Sequence, residues 1–221
     1  AGGPGQRVGG VPLWPLGPLA ALSAGRPSPL PATAGGPPES ARGAAAVFFT
    51  SGSTGTPHGV LYGPEMLLHG ALALGQLCGL GPGSVQLLKA PPVWAVVEYE
   101  IFPALCAGGA VVCDSRCQGD LGRLARIVAE RGVTALATSA PVLQLLAEEW
   151  LGPGKESGAA AAQCLRHVVN VGGHLPLATC ALAKQALPET DIHNLYGCTE
   201  SSCTAWTYQE AAAAPGANAP A

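Results

Sequence analysis

The chain has 221 residues, room for one ordinary domain and little more, with 31 glycines, 21 prolines and only 11% charged side chains. Its net charge of −3, from 11 basic against 14 acidic residues with no run of either sign, supplies no basic face, so no nucleic-acid partner is expected. No apolar stretch reaches the roughly 20 uninterrupted residues of a membrane span, which excludes a membrane partner from the expectation, and no signal peptide is visible.

The chain opens without a methionine and reads as a fragment. Its eight cysteines (Cys78, Cys106, Cys113, Cys117, Cys164, Cys180, Cys198 and Cys203) form no CxxC pair, and the histidines no paired spacing, so the sequence carries no zinc pattern. Most sit in apolar segments, where a free thiol acts as a small hydrophobe, and a reducing, cytoplasmic protein is expected.

Residues 1–43 are rich in Ala, Gly and Pro and sustain no helical or strand period, which reads as a disordered leader. Ala45 to Phe49 then reads as a buried strand, followed by a Gly/Ser/Thr loop and a short returning strand, Gly59 to Tyr62. Pro64 opens a helix expected to run to Gly79, and Val85–Leu88 is a strand. Val93–Val97 is ambiguous. A helix is expected over Tyr99–Cys106 and a strand over Ala110–Cys113. Asp120 caps a helix with Leu121, Leu124, Ala125 and Val128 on its inner stripe, ended by Gly132. Val133–Thr138 is a strand, and the helix after Ser139 places Leu143, Leu146, Ala147 and Trp150 on one face. Leu151–Ala162 reads as a loop. A strand over Arg166–Val171, a helix over Pro176–Leu187 and a strand over Ile192–Leu195 complete the pattern. Residues 211–221 read as a frayed tail, leaving 44–210 as the folded part. Strand–helix alternation with short connections predicts an α/β fold, a mostly parallel sheet flanked by helices.

Three loops belong on the rim of such a sheet, outside the carboxyl ends of its strands, where ligands bind. The first is Thr50-Ser51-Gly52-Ser53-Thr54-Gly55. Its glycines let backbone approach a ligand closely, and its amides and hydroxyls donate hydrogen bonds, which suits phosphate oxygens. It matches neither the Walker nor the GxGxxG spacing. The second is Val171-Gly172-Gly173-His174, whose paired glycines allow flat packing against a ring. In the third, Asn194 to Glu200, Tyr196 can stack on a purine, Thr199 can donate to a phosphate, and Glu200 can hold Mg²⁺ beside it.

In this order the three loops resemble the adenylate-forming superfamily of acyl-CoA synthetases, luciferases and peptide-synthetase adenylation domains. Thr-Ser-Gly-Ser-Thr-Gly-Thr-Pro-His-Gly (50–59) resembles its phosphate signature, and Asn-Leu-Tyr-Gly-Cys-Thr-Glu (194–200) its adenine and magnesium motif. Gly172–Gly173 and the Glu100-Ile-Phe102 run also match, and the likeness spans residues 45 to about 208. It implies ATP-dependent activation of a small carboxylic acid as an acyl-adenylate, with transfer to coenzyme A or to a phosphopantetheinyl carrier domain. Thr50, Ser51, Gly52, Ser53, Thr54 and Gly55 would then cradle the β/γ-phosphates of ATP. Gly173, Asn194 and Tyr196 would frame adenine, Thr199 would touch the α-phosphate, and Glu200 would hold Mg²⁺; Thr199, Glu200 and His58 are the catalytic candidates. The pocket for the acid would be lined by Ala95, Val96, Tyr99, Thr138, Asn170, Gly172, Leu195 and Cys203.

The departures from the pattern are specific. His58 stands where the family usually has Lys, and His174 where Glu is frequent. Ala95 replaces an Asp that pairs with the α-ammonium of amino-acid substrates, so a plain or ω-substituted acid fits better. The resemblance also implies a later ribose-binding Asp motif and a small domain with a catalytic Lys, and the chain ends before them. It therefore reads as the middle of a large domain, inactive alone, or alternatively as a degenerate nucleotide-binding or interaction module without catalysis.

Overall fold

The computed structural model describes residues 7–8, 11–12, 43–51, 55–114, 117, 119–152, 156–201 and 204–208. Within the leader, β1 (Arg7–Val8) and β2 (Val11–Pro12) pair antiparallel as a two-residue ladder. The rest of residues 1–42 and of the tail lies outside the described residues.

β3 (Ala46–Thr50) and β4 (His58–Tyr62) form an antiparallel hairpin of their own, in register from Ala46↔Tyr62 to Thr50↔His58. The expectation of a buried first strand needs correction here. Side chains alternate across the ribbon, so Phe48 is buried while Val47 and Phe49 are 44% and 65% exposed. An apolar run signals burial on both faces only in a strand covered on both faces, and this ribbon packs on one.

The principal sheet has the order β10-β9-β8-β7-β5-β6. Its five parallel strands are β5 (Val85–Leu88), β6 (Ala110–Cys113), β7 (Ala135–Thr138), β8 (His167–Asn170) and β9 (Asp191–Tyr196). β10 (Thr204–Tyr208), which the sequence reading did not identify, adds antiparallel to β9. The helices are α1 (Pro64–Leu77), α2 (Val97–Cys106), α3 (Leu121–Glu130), α4 (Ala140–Leu151), α5 (Glu156–Cys164) and α6 (Leu177–Ala186). The chain is thus α/β, a parallel sheet flanked by helices. Among the described residues no helix is long and apolar enough to cross a membrane.

Both faces of the sheet are covered. Leu87, Leu136, Val168 and Ile192 point into the larger core with α3, α4, α5 and α6. The alternate residues Ala137, Val169 and Leu195 face Leu74 and Cys78 at α1 and Tyr99 of α2. The two-residue period explains the near-continuous apolar strands. On α4, Leu143, Leu146 and Ala147 are fully buried and Trp150 nearly so, as their helical spacing requires. Asp120 caps α3 by accepting from the Arg123 amide at 2.8 Å, and Gly132 stops the helix with φ +60°.

α5 replaces the loop expected over Leu151–Ala162. A Gly/Ala composition reads as a loop, yet alanine has the highest helix propensity of all residues, and Ala161 is fully buried in the core. Gly158 has its own reason: a Cβ there would collide with the Trp150 carbonyl.

Pro103 lies inside α2 and can donate nothing to the carbonyl of Tyr99, four residues earlier. Gln86 on β5, 2% exposed, repairs the break. Its Nε2 donates to the Tyr99 carbonyl at 2.9 Å, and its Oε1 accepts from the Ala104 amide at 2.8 Å. The ambiguous segment before α2 is a turn, with backbone bonds from Trp94 to Pro91 and from Val97 to Trp94.

Candidate functional site

Thr138, Asn170 and Asn194 lie level with one another across β7, β8 and β9, because Thr138 pairs with Asn170 and Asn170 with Asn194. Three polar side chains therefore stand in a row where the sheet opens to its loops. Asn170 is fully buried, and its Nδ2 donates to Asn194 Oδ1 at 2.7 Å and to the Gly173 carbonyl at 2.9 Å. This bond fixes the loop after β8, where Gly172 takes φ +89°. A Cβ on Gly173 would meet nothing within 4 Å, so open space adjoins the loop.

Beside this row is a cavity of about 860 Å³, within the size range of small-molecule sites. Thr138 and Ser139 lie at the end of β7, Val171 and Gly172 after β8, and Gly197, Cys198 and Thr199 after β9. The opposite wall comes from the segment before α2 and its first turn, including Trp94, Ala95, Val96, Glu98 and Tyr99, while Leu121, Leu124, Val142 and Leu145 supply an apolar side. The lining is mostly apolar with a few convergent polar groups.

Glu100 holds that opposite wall in place. It is 1% exposed, its Oε2 accepts from the amides of Lys89 and Ala90 at 2.9 and 2.8 Å, and its Oε1 lies 3.2 Å from Lys89 Nζ. Lys89 and Ala90 both line the cavity. Burial pushes the carboxyl of Glu98 up to about 6, against a hydrogen bond with Tyr99 that lowers it. Thr138 Oγ1 and Asn170 Oδ1 are buried without a hydrogen-bond partner among the described residues. Unpartnered buried oxygens are costly, and that of Thr138, a residue of the cavity wall, is placed to meet a bound molecule.

Among the expected pocket residues, Ala95, Val96, Tyr99, Thr138 and Gly172 line the cavity. Asn170 stands behind the wall, and Leu195 is packed into the core with Tyr99 and Val169. Of the nucleotide candidates, Thr199 lines the cavity, Asn194 is half-buried, Tyr196 is 72% exposed, and Gly173 and Glu200 are exposed at the same rim. Thr50 is half-buried, and Ser51, Gly55 and His58 are exposed at the far end of the hairpin. None of these four lines the cavity, and Gly52, Ser53, Thr54 and Cys203 lie outside the described residues. The hairpin reaches the cavity through Tyr62, whose hydroxyl donates to the Thr199 carbonyl at 2.7 Å. Sequence reasoning missed Tyr62, Glu98 and Lys89 as site residues. The Glu98-x-Glu100 pair inside an apolar run was the one available signal.

The family model described as "AMP-binding enzyme" matches residues 15–220. The chain belongs to the AMP-binding enzyme family. Among similar AMP-binding enzymes, the L-proline--[L-prolyl-carrier protein] ligase of Streptomyces coelicolor is 31% identical over 205 residues, covering 89% of this chain and 36% of the ligase. The indigoidine synthase of Dickeya dadantii is 29% identical over 158 residues, 72% of this chain and 10% of the synthase. The N-terminal subdomain of Klebsiella oxytoca NpsA, solved in complex with anthranilyl-AMSN, superposes with a TM-score of 0.62 at 29% identity, covering 82% of this chain and 46% of that one. This AMP-binding chain therefore spans well under two thirds of each of these relatives.

Proposed function

We propose that this chain is the middle part of the large domain of an ATP-dependent acid-activating ligase. In the full protein a carboxylate oxygen attacks the α-phosphorus of ATP, the bond to the β-phosphate oxygen breaks, and acyl-adenylate and pyrophosphate form. The acyl group then passes to a thiol. The single observation that carries this reading is the cavity beside the aligned Thr138, Asn170 and Asn194 of β7, β8 and β9, which has Gly172 and Thr199 in its wall and Tyr62 tying the hairpin of the glycine loop to the Thr199 turn.

Within that reading the residues divide the work. The amides and hydroxyls of Thr50 to Gly55 hold the β- and γ-phosphates. Gly173, Asn194 and Tyr196 flank adenine, the open space beside Gly173 suiting a flat ring. Thr199 donates to the α-phosphate. Glu200, an exposed carboxylate on the same turn, is the hard oxygen ligand that Mg²⁺ prefers, and the ion supplies charge neutralisation when bound. His58 contributes a ring N–H donor. No covalent enzyme intermediate is needed; orientation and charge stabilisation supply the catalysis.

The acid is a plain, aryl or ω-substituted carboxylic acid. Ala95 offers an α-ammonium no partner, and Trp94, Val96, Leu121, Leu124 and Val142 favour an apolar body. The NpsA complexes with anthranilyl- and 3-hydroxybenzoyl-AMSN support an aryl acid. A carrier-domain thiol is the favoured acceptor over coenzyme A, in line with the name of the Streptomyces ligase and with the solved adenylation–PCP di-domain containing NpsA. The cysteines described structurally are all free, which suits the cytoplasm.

The test is acid-dependent exchange of pyrophosphate into ATP by the full-length protein, across β-alanine, fatty acids, aryl acids and α-amino acids. Exchange with an aryl, fatty or ω-amino acid supports the reading. Absence of exchange with every acid, in a protein that still binds ATP, favours the non-catalytic module.

A further inference from the structure

On the face of the sheet that α1 covers, away from the cavity, three side chains able to bind metal converge. Cys78 caps the end of α1 and is 2% exposed. His193 is 2% exposed in β9, and His167 opens β8 with 19% of its side chain exposed. The Cys78 sulfur and one nitrogen from each imidazole all lie within 4.8 Å of one another. His167 Nδ1 is 3.2 Å from His193 Nε2, and the rings stack with centroids 5.4 Å apart at 26°. His167 pairs with Asp191, and Val169 with His193, so the two rings come from neighbouring parallel strands offset by two residues and share a face. None of the three lines the cavity.

A tetrahedral zinc ion with Zn–N near 2.0–2.1 Å and Zn–S near 2.3 Å needs its ligand atoms roughly 3.3–3.6 Å apart. The separation of the two imidazole nitrogens is already close to that edge. Imidazole with thiolate is the donor set that borderline-soft divalent ions prefer over Mg²⁺ or Ca²⁺. Asp191 stands at the open side: its Oδ2 is 3.9 Å from His167 Nδ1, and its side chain is 60% exposed. A hydrogen bond between two neutral imidazoles explains the ring pair, but not why a thiol meets both rings and a carboxylate stands beside His167.

We propose that Cys78, His167 and His193 form a structural site for Zn²⁺ or a similar borderline-soft ion, with Asp191 closing the fourth position. The ion pins the end of α1 to β8 and β9. On coordination the thiol proton leaves to water, and the proton shared by the two rings moves to the far nitrogen of the ring that carried it. The site is independent of the acid-activation reading. Local sequence spacing does not reveal it, because its ligands lie on α1, β8 and β9.

The test is titration of the full chain, stripped with a chelator, with Co²⁺ and then Zn²⁺. The expected result is one equivalent bound, a thiolate-to-cobalt charge-transfer band with tetrahedral d–d absorption, and displacement by Zn²⁺. Cys78→Ser abolishes the band. His167→Gln, at the partly exposed ligand, weakens binding by more than the roughly 10–100-fold typical of outer-shell changes. The triple variant Cys106→Ser, Cys113→Ser, Cys198→Ser, which removes exposed thiols, leaves the band intact. Where Cys78→Ser does not fold, the melting temperature decides: Zn²⁺ raises it for wild type and not for His167→Gln. A wild-type chain with no band and no shift overturns the proposal, as does a band lost only in the triple variant.

Discussion

The hydroxyl of Tyr62 donates a 2.7 Å hydrogen bond to the carbonyl of Thr199, across 137 positions of sequence. The Tyr62 ring is 1% exposed and meets Phe48 edge-to-face with centroids 4.9 Å apart. One residue thus braces the two strands of the hairpin through its ring and ties the hairpin to the Thr199 turn through its hydroxyl. Tyr62→Phe keeps the ring and removes the bond, and is expected to cost about 1 kcal/mol of stability. Amide exchange measured by mass spectrometry should quicken over residues 197–200 and stay unchanged in α4. Equal protection in both proteins would deny the hydroxyl any part in holding the turn.

Gln86→Leu is expected to be among the more damaging single changes. It strands the Tyr99 carbonyl and the Ala104 amide, each buried group costing about 1–3 kcal/mol. Pro103→Ala gives the Tyr99 carbonyl a helical donor again, so the double variant should be more stable than the sum of the two losses predicts. Chemical denaturation of the four proteins measures the coupling, and strict additivity would refute it.

Glu98 sets a pH dependence. Its carboxyl, raised from 4.5 to about 6 chiefly by burial, favours the protonated form in the fold. Its contribution to stability is full below pH 4.5 and is lost as pH rises through 6, a change on the order of 2 kcal/mol. Glu98→Gln has no proton to lose and should gain on wild type across that window. Urea midpoints at pH 4 and pH 7 check this; parallel curves for the two proteins would rule it out.

Thr138 offers a contrast between stability and binding. Its Oγ1 is buried without a partner among the described residues and its side chain lines the cavity. Thr138→Val should therefore leave stability unchanged or raised. In pyrophosphate exchange by the full-length protein it should lower kcat/KM for an acid bearing a polar group by up to about tenfold, the worth of one hydrogen bond. A purely structural threonine would show the opposite pattern.

His58 stands exposed on the last rung of the hairpin, opposite Thr50. A neutral imidazole offers one donor where an ammonium offers a full charge and three. His58→Lys is expected to raise the exchange rate of the full-length protein. An unchanged or lower rate would count against a phosphate-side role.

Much of the architecture was readable because it rests on local rules. The stripe through Leu143, Leu146, Ala147 and Trp150, the Asp120 cap and the Gly132 stop each follow from spacing within one element. Readings failed where the deciding partner lay elsewhere in the chain. Val-Phe-Phe reads as a buried strand because nothing nearby says that its ribbon stands outside the sheet. The Ala-rich segment 156–164 helps to cover a core built by α3 and α4, and composition alone suggested a loop. For the site, Thr138, Asn170 and Asn194 were identifiable as types, but their alignment comes from strand register, and the Tyr62–Thr199 contact joins two elements that local spacing cannot relate.

The placement of two indoles makes the chain its own optical gauge. Trp94 lines the cavity with 65% of its surface in water, whereas Trp150 is sealed in the core at 4%. With Trp14 and Trp206 replaced by Phe, filling the cavity should blue-shift or quench the red-emitting Trp94 and leave the blue emission of Trp150 untouched. Unfolding moves both to the red, so a single emission spectrum separates occupancy from melting.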